Sequence, residues 1–196
     1  MFPRLKSSFA LTSLISALLL PAQPADAPVS RPMDSDRSII RIHVFKAGLF
    51  SAFGHDHNIS APIQQGSFSE QKPSAELSVD ARKLRVEDEG ISDKDRSEIQ
   101  STMLGPKVLA VEQFPEIRFH STQFDRLGAG KWLVHGDLTL HGQTRPIKIE
   151  VEGQNGRYSG SAELRQKDFG ITPVAAGGGT VKVKNEVRVQ FDIIGK

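Results

Sequence analysis

An all-β fold is what this sequence predicts: a closed antiparallel barrel of about eight strands, with one short helical segment over about residues 92–104. Three observations lead there. Apolar side chains recur at every second position in run after run, short glycine-containing turns separate the runs, and a single segment switches to helical spacing.

The chain opens with a segment that belongs to none of these. Arg4 and Lys6 precede the apolar run FALTSLISALLLP, and Ala25 and Ala27 supply small residues, so residues 1–27 read as a secretory signal peptide cut after Ala27. That run is shorter than the ~20 residues a bilayer span requires, and no later run reaches that length. A soluble, exported chain in the periplasm or outside the cell is expected, with no integral membrane segment after cleavage. Residues 28–37, PVSRPMDSDR, read as an extended leader, and one domain is expected over residues 38–196. The sequence has 0 cysteines, so no disulfide and no lipoprotein thiol is available, and stability must come from an apolar core. The 25 basic and 23 acidic residues are interspersed and leave a formal charge of +2, which argues against nucleic acid as a partner.

From Ser38 onward the period is two. Ile40, Ile42 and Val44 share a face, as do Ala75, Leu77, Val79 and Ala81, and then Trp132, Val134, Leu138 and Leu140. Ile147, Ile149 and Val151 point one way while Lys148, Glu150 and Glu152 point the other; Val187, Val189, Phe191 and Ile193 repeat the pattern. These are half-buried antiparallel strands. LGAGK (127–131), HGQTRP (141–146) and GQNGR (153–157) are the turns between them, the last holding the hairpin dipeptide Asn155-Gly156. AAGGGTV (175–181) reads as a flexible loop before the final strand. In the segment 92–114, Ser92 and Asp95 form a short-acid version of a capping box, Ile99 and Met103 lie four apart, and Gly105-Pro106 ends the run. A short helix and turn that pack on one end of the barrel are expected.

Small inward residues, Ala75, Ala81, Gly136, Gly160 and Ala162, are compatible with an internal cavity, but equally with a packed core that alternates large and small side chains. The stretch FGHDHNI is more pointed. On a strand over 53–59, Phe53, His55, His57 and Ile59 share the inward face, and inward imidazoles need a partner: a ligand head group, a water or a metal. Asp56, His43, His120, His135 and His141 are the other candidate metal ligands, yet all fall on outward faces by the same parity, so a closed site is not expected. Histidines in a solvated rim loop remain the plain alternative.

FPEIRFHST (114–122), HGDLTLHGQTRPIKIEV (135–151) and KDFGI (167–171), followed by KNEVRVQFDI, resemble in order and spacing the signature stretches of the YceI-like family. The resemblance covers nearly all of residues 38–196. It implies a lipocalin-like antiparallel barrel, periplasmic or secreted, with an elongated apolar cavity for a polyisoprenoid or other long-chain amphiphile. The chain departs from that family at Gly-His-Asp-His, and in reading KDRSEIQS where the family tends to carry an Arg-Asp-x-His-like cluster. Both departures fall where a pocket's polar mouth would lie.

The expectation is therefore a carrier of a long isoprenoid or fatty lipid, with no cofactor and no catalysis. Gly-x-Ser-x-Gly, phosphate-loop and Gly-x-Gly-x-x-Gly patterns are missing from the sequence. Leu77, Val79, Phe119, Leu138, Leu140 and Phe169 are the expected lumen residues, and His55, His57 and Arg96 the expected contacts to a head group. Lys94 reads as a surface ion-pair residue, Arg145 as a turn residue and Trp132 as packing. The rival is a metal-binding protein or metal-dependent hydrolase centred on His55 and His57. Exposed barrel strands are compatible with a homodimer.

Overall fold

The computed structural model describes residues 30–47, 56–176 and 181–196; the expected signal segment and His55 lie outside the described residues. Its strands are β1 (Arg31–Pro32), β2 (Ile39–Ala47), β3 (His57–Ser60), β4 (Ile63–Ser69), β5 (Ser74–Asp80), β6 (Arg85–Val86), β7 (Glu116–Gly128), β8 (Lys131–Leu140), β9 (Gln143–Gln154), β10 (Arg157–Arg165), β11 (Ala175–Ala176) and β12 (Val181–Ile194). Eleven of them follow one antiparallel order, β1-β4-β5-β7-β8-β9-β10-β12-β2-β3-β6, and β11 pairs on β12 beside it.

The sheet curls into a half-barrel and does not close, because β1 and β6 stand at opposite ends of the order. Both the closed barrel and the count of about eight are thereby corrected. Two-residue strands show no period, so β1, β6 and β11 could not be read from alternation. Pro62, which has no N–H to give a ladder, separates β3 from β4. The chain crosses the seam there: β3 pairs with β2, and β4 with β5 on the other side. A single bridge, Met33 to Gly195, and the bonds from Asp34 N to Ile194 O (2.7 Å) and from Lys196 N to Pro32 O (2.9 Å) tie the β1 edge to the end of β12. The residues read as a leader thus contribute a strand and, in Met33, a buried side chain.

The inward faces are those the alternation gives. The turns follow suit: Asn155 and Gly156 have φ of 55° and 82°, and His141 and Gly142 have 50° and 69°, both pairs in the left-handed region that a type I′ hairpin needs. Two local readings shift. β5 ends at Asp80, and Ala81–Lys83 form a 3-10 turn held by the Asp80 carboxylate, so Ala81 is buried without being on a strand. Ala175 and Ala176 pair with β12 instead of lying in a loop.

The helix α1 (Asp93–Leu104) starts where Asp95 N donates to Ser92 Oγ at 3.1 Å and stops at Gly105. It buries Met103 and lays Ile99 and Leu104 on the core. It also finishes the open sheet. Gln100 accepts from Val86 N and donates to Leu84 O, both at 2.8 Å, so a side-chain amide stands where a further strand would pair with β6. Bare strand edges template unwanted pairing, and this one is covered.

Gln100→Ala should leave Val86 N–H and Leu84 C=O without these partners and destabilise the fold by about 1–3 kcal/mol, read from urea unfolding at constant m.

Candidate functional site

The concave face of the half-barrel holds a cavity of about 680 Å³, lined overwhelmingly by aliphatic and aromatic side chains. That is within the range of ligand-binding cavities. Ile147, Ile149 and Val151 face it yet remain half-exposed, as residues do on the wall of a space their neighbours do not fill.

Leu77, Val79, Phe119, Leu138 and Leu140, expected on the lumen, all line the cavity, as does Trp132. Phe169 does not. Its ring is 2% exposed, packed in the core beside Phe119, Leu164 and Ile171. The 3-10 turn Gln166–Phe169 ends at Gly170 with φ 73°, and this turn tucks the ring into the wall instead of the lumen. The small inward residues also divide. Ala75 and Ala162 line the cavity, whereas Gly136 lies under the Phe119 ring and Gly160 under Phe191, so those glycines make room for a neighbouring strand's aromatic.

Phe169 shows where the quoted motifs go. Phe169 O accepts from His141 Nδ1 at 3.1 Å, the His141 ring meets Phe114 edge-on at 4.7 Å, and a Cβ on Gly142 would come within 2.5 Å of Phe114 Cε1. Phe-Pro-Glu, His-Gly-Gln-Thr and Lys-Asp-Phe-Gly-Ile therefore converge on one packed corner.

At that same end of the barrel His57 lines the cavity, and its Nδ1 lies 2.6 Å from Asp88 Oδ2. Asp88 is 3% exposed, and its other oxygen accepts from Asn58 N at 2.6 Å. An ionised carboxylate only accepts, so Nδ1 is the nitrogen that donates to Asp88, and Nε2 is left for another partner. Sequence reasoning missed Asp88, which lies 31 residues away in the chain. Arg96 does not line the cavity; its Nη1 donates to Val86 O at 3.5 Å, while its neighbours Asp95 and Glu98 face the lumen.

Three of the other metal candidates are occupied elsewhere. Asp56 accepts from Lys46 N, His43 pairs with Asn58, and His135 with Asp125, whose carboxyl is held below its usual range by Gln123 and then by His135. Among the described residues no group of three His, Asp or Glu side chains could hold a metal ion.

The far end of the cavity holds a second polar group. Tyr158 Oη donates to Glu70 Oε1 at 2.8 Å and Gly156 N donates to the same oxygen at 3.1 Å, joining the β4–β5 loop to the β9–β10 hairpin. Burial, then the bond to Glu70, pushes the Tyr158 hydroxyl up to about 12.

Residues 33–194 match the YceI-like domain family. The chain belongs to that family. Its curated relatives include UPF0312 proteins of Vibrio cholerae, 32% identical over 113 residues, and of Pseudomonas aeruginosa, 26% identical over 177. The match spans 53% of this chain and 56% of the Vibrio relatives' length, against 85% and 88% for the Pseudomonas protein. Among solved structures, BcnA of Burkholderia cenocepacia matches at TM-score 0.60 and 18% identity, over 84% of this chain and 99% of its own. A polyisoprenoid-binding domain from Saccharophagus degradans matches at TM-score 0.58 and 13% identity, over 87% and 99%. At those identities the likeness is one of fold. Among the described residues of this YceI-like chain no helix is long and apolar enough to cross a membrane.

Two measurements follow. Phe169→Ala should cost about 3–5 kcal/mol in urea unfolding, as core truncations do. Tyr158 is the single tyrosine of the sequence, so absorbance at 295 nm reads it alone. Its midpoint should lie near 12 in the folded protein and near 10 in guanidinium. Because the folded value is the raised one, the stability this group contributes is complete below pH ~10 and lost as pH rises through about 12.

Proposed function

We propose that this YceI-like protein is an exported, periplasmic or secreted carrier that holds a polyisoprenoid or other long-chain lipid in its lumen. The observation that carries this reading is the continuous apolar cavity of about 680 Å³ with an inner wall left half-exposed. Each buried methylene contributes up to ~0.8 kcal/mol before ordering costs, so a long chain binds without elaborate polar recognition. The polyisoprenoid-binding domain of the same fold supports the choice of ligand, and the charged-then-apolar start of the sequence supports export. At the His57 end, Nε2 accepts a hydrogen bond from the ligand's polar terminus, with Asp88 fixing the ring's tautomer and orientation. His57 replaces Arg96 as the chief contact, since Arg96 is turned to the β6 edge and the helix presents carboxylates to the lumen. No step of chemistry is assigned to the pair: among the described residues Asp88 is the only hydrogen-bond partner of the His57 ring.

Protein produced in a periplasm and purified without detergent should show, in native mass spectra, an excess mass that extracts into organic solvent as a prenyl or acyl species. Leu138→Asp or Leu77→Asp, each placing a carboxylate on the lumen wall, should abolish that excess while the far-ultraviolet spectrum stays β-sheet. Undiminished loading of a folded Leu138→Asp protein would remove the lumen from consideration, and an excess matching a metal ion would favour a centre at His55 and His57 instead.

A further inference from the structure

The cavity is apolar along its walls but not at the end away from His57. Ser69, the last residue of β4, lines it there, is 6% exposed, and has a hydroxyl buried with no hydrogen-bond partner among the described residues. A buried hydroxyl without a partner costs stability, so such a group in a roomy cavity signals a missing partner. Beside it Glu70 also lines the cavity, and both bonds it accepts from the protein land on Oε1, leaving Oε2 as a spare acceptor. Tyr158 donates its proton to Glu70 and packs edge-on against Phe68 at 5.3 Å. Arg31, whose guanidinium sits 6.0 Å from the Phe68 ring centre, is a cation at this corner.

We propose that Ser69 and Glu70 form a second polar subsite, which binds an uncharged hydroxyl at the end of the ligand chain remote from His57. The proposal rests on the carrier reading and narrows its ligand. A hydroxyl matches the site because it donates to Glu70 Oε2 while exchanging a hydrogen bond with Ser69 Oγ. A phosphate or carboxylate would face the Glu70 carboxylate. Register sets the spacing of the two subsites. Val44, which pairs with His57, sits opposite Val187, and Tyr158 sits opposite Ile193. Six residues along β12 separate these levels, about 20 Å at the rise of an antiparallel strand. The ligand class is therefore a chain of roughly that length with polar groups at both ends.

The test uses the mature protein loaded with the neutral fluorescent probe N-phenyl-1-naphthylamine, displaced by hexadecan-1-ol or by hexadecane-1,16-diol. The diol should bind about tenfold more tightly than the mono-alcohol, a difference of the size one buried hydrogen bond makes; Ser69→Ala should reduce that preference, and Ser69→Ala with Glu70→Ala should erase it. Equal affinities in the unsubstituted protein, or a preference that the double variant keeps in full, would overturn the subsite. If neither the probe nor either alcohol binds, the carrier reading itself fails. The ligand-free Ser69→Ala protein supplies an independent check: removing an unpaired hydroxyl should leave Tm unchanged or raised, and a clear drop would show a structural bond and overturn the proposal.

Discussion

A sheet that wraps an unfilled apolar space must hold its shape without a packed interior behind it, and the other elements of this molecule are placed by that demand. Side chains on the concave wall gain only part of the burial a filled core would give them. Rigidity has to come from the perimeter. Gln100 finishes the β6 edge from the helix, Phe114, His141 and Phe169 lock one corner, and Glu70 joins two hairpins at the opposite end. Within the wall, Phe119 and Phe191 lie over Gly136 and Gly160, which stiffens the strands without taking up the lumen. Outside, pairs such as Arg188 with Glu163 and Lys131 with Glu152 are exposed and worth little each.

The corner where the three signature stretches meet alters what family membership conveys. Residues that define the family by sequence are here occupied with closing hairpin to turn, and the ring of Phe169 never reaches the cavity. Belonging to the YceI-like family therefore specifies an architecture with a lumen. The chemistry of the cavity's ends is carried by residues outside those three stretches, His57 with Asp88 at one and Ser69 with Glu70 at the other.

What could be read beforehand divides along the same line. Alternation gave the inward faces of β2, β5, β8, β9 and β12, and with them the places of Leu77, Val79, Leu138 and Leu140 on the cavity wall. Parity also aimed His57 inward. It could not show the open seam, because a strand of two residues carries no period, nor the burial of Phe169, which is decided by a left-handed Gly170 after a turn. The partners of the polar ends were out of reach for a simpler reason. Asp88 lies 31 residues from His57, and Glu70 lies 88 from Tyr158, so only the sheet order brings them together. Arg96 was misjudged because helix phase decides which side faces the lumen, and the short polar helix carries too few apolar positions to fix that phase.

The strand order also sets a schedule. β7 to β10 is a meander of neighbours joined by tight turns, which can assemble as soon as it is made. β2 has no such companion beyond the four residues of β3, and its main partner is β12, with Ser38 and Ile194 held together across 156 residues of chain. During synthesis, the apolar face of β2 thus waits in the open until β12 arrives. For that interval the chain is a liability to itself, and whatever escorts it must shield a surface that the finished protein turns to its cavity.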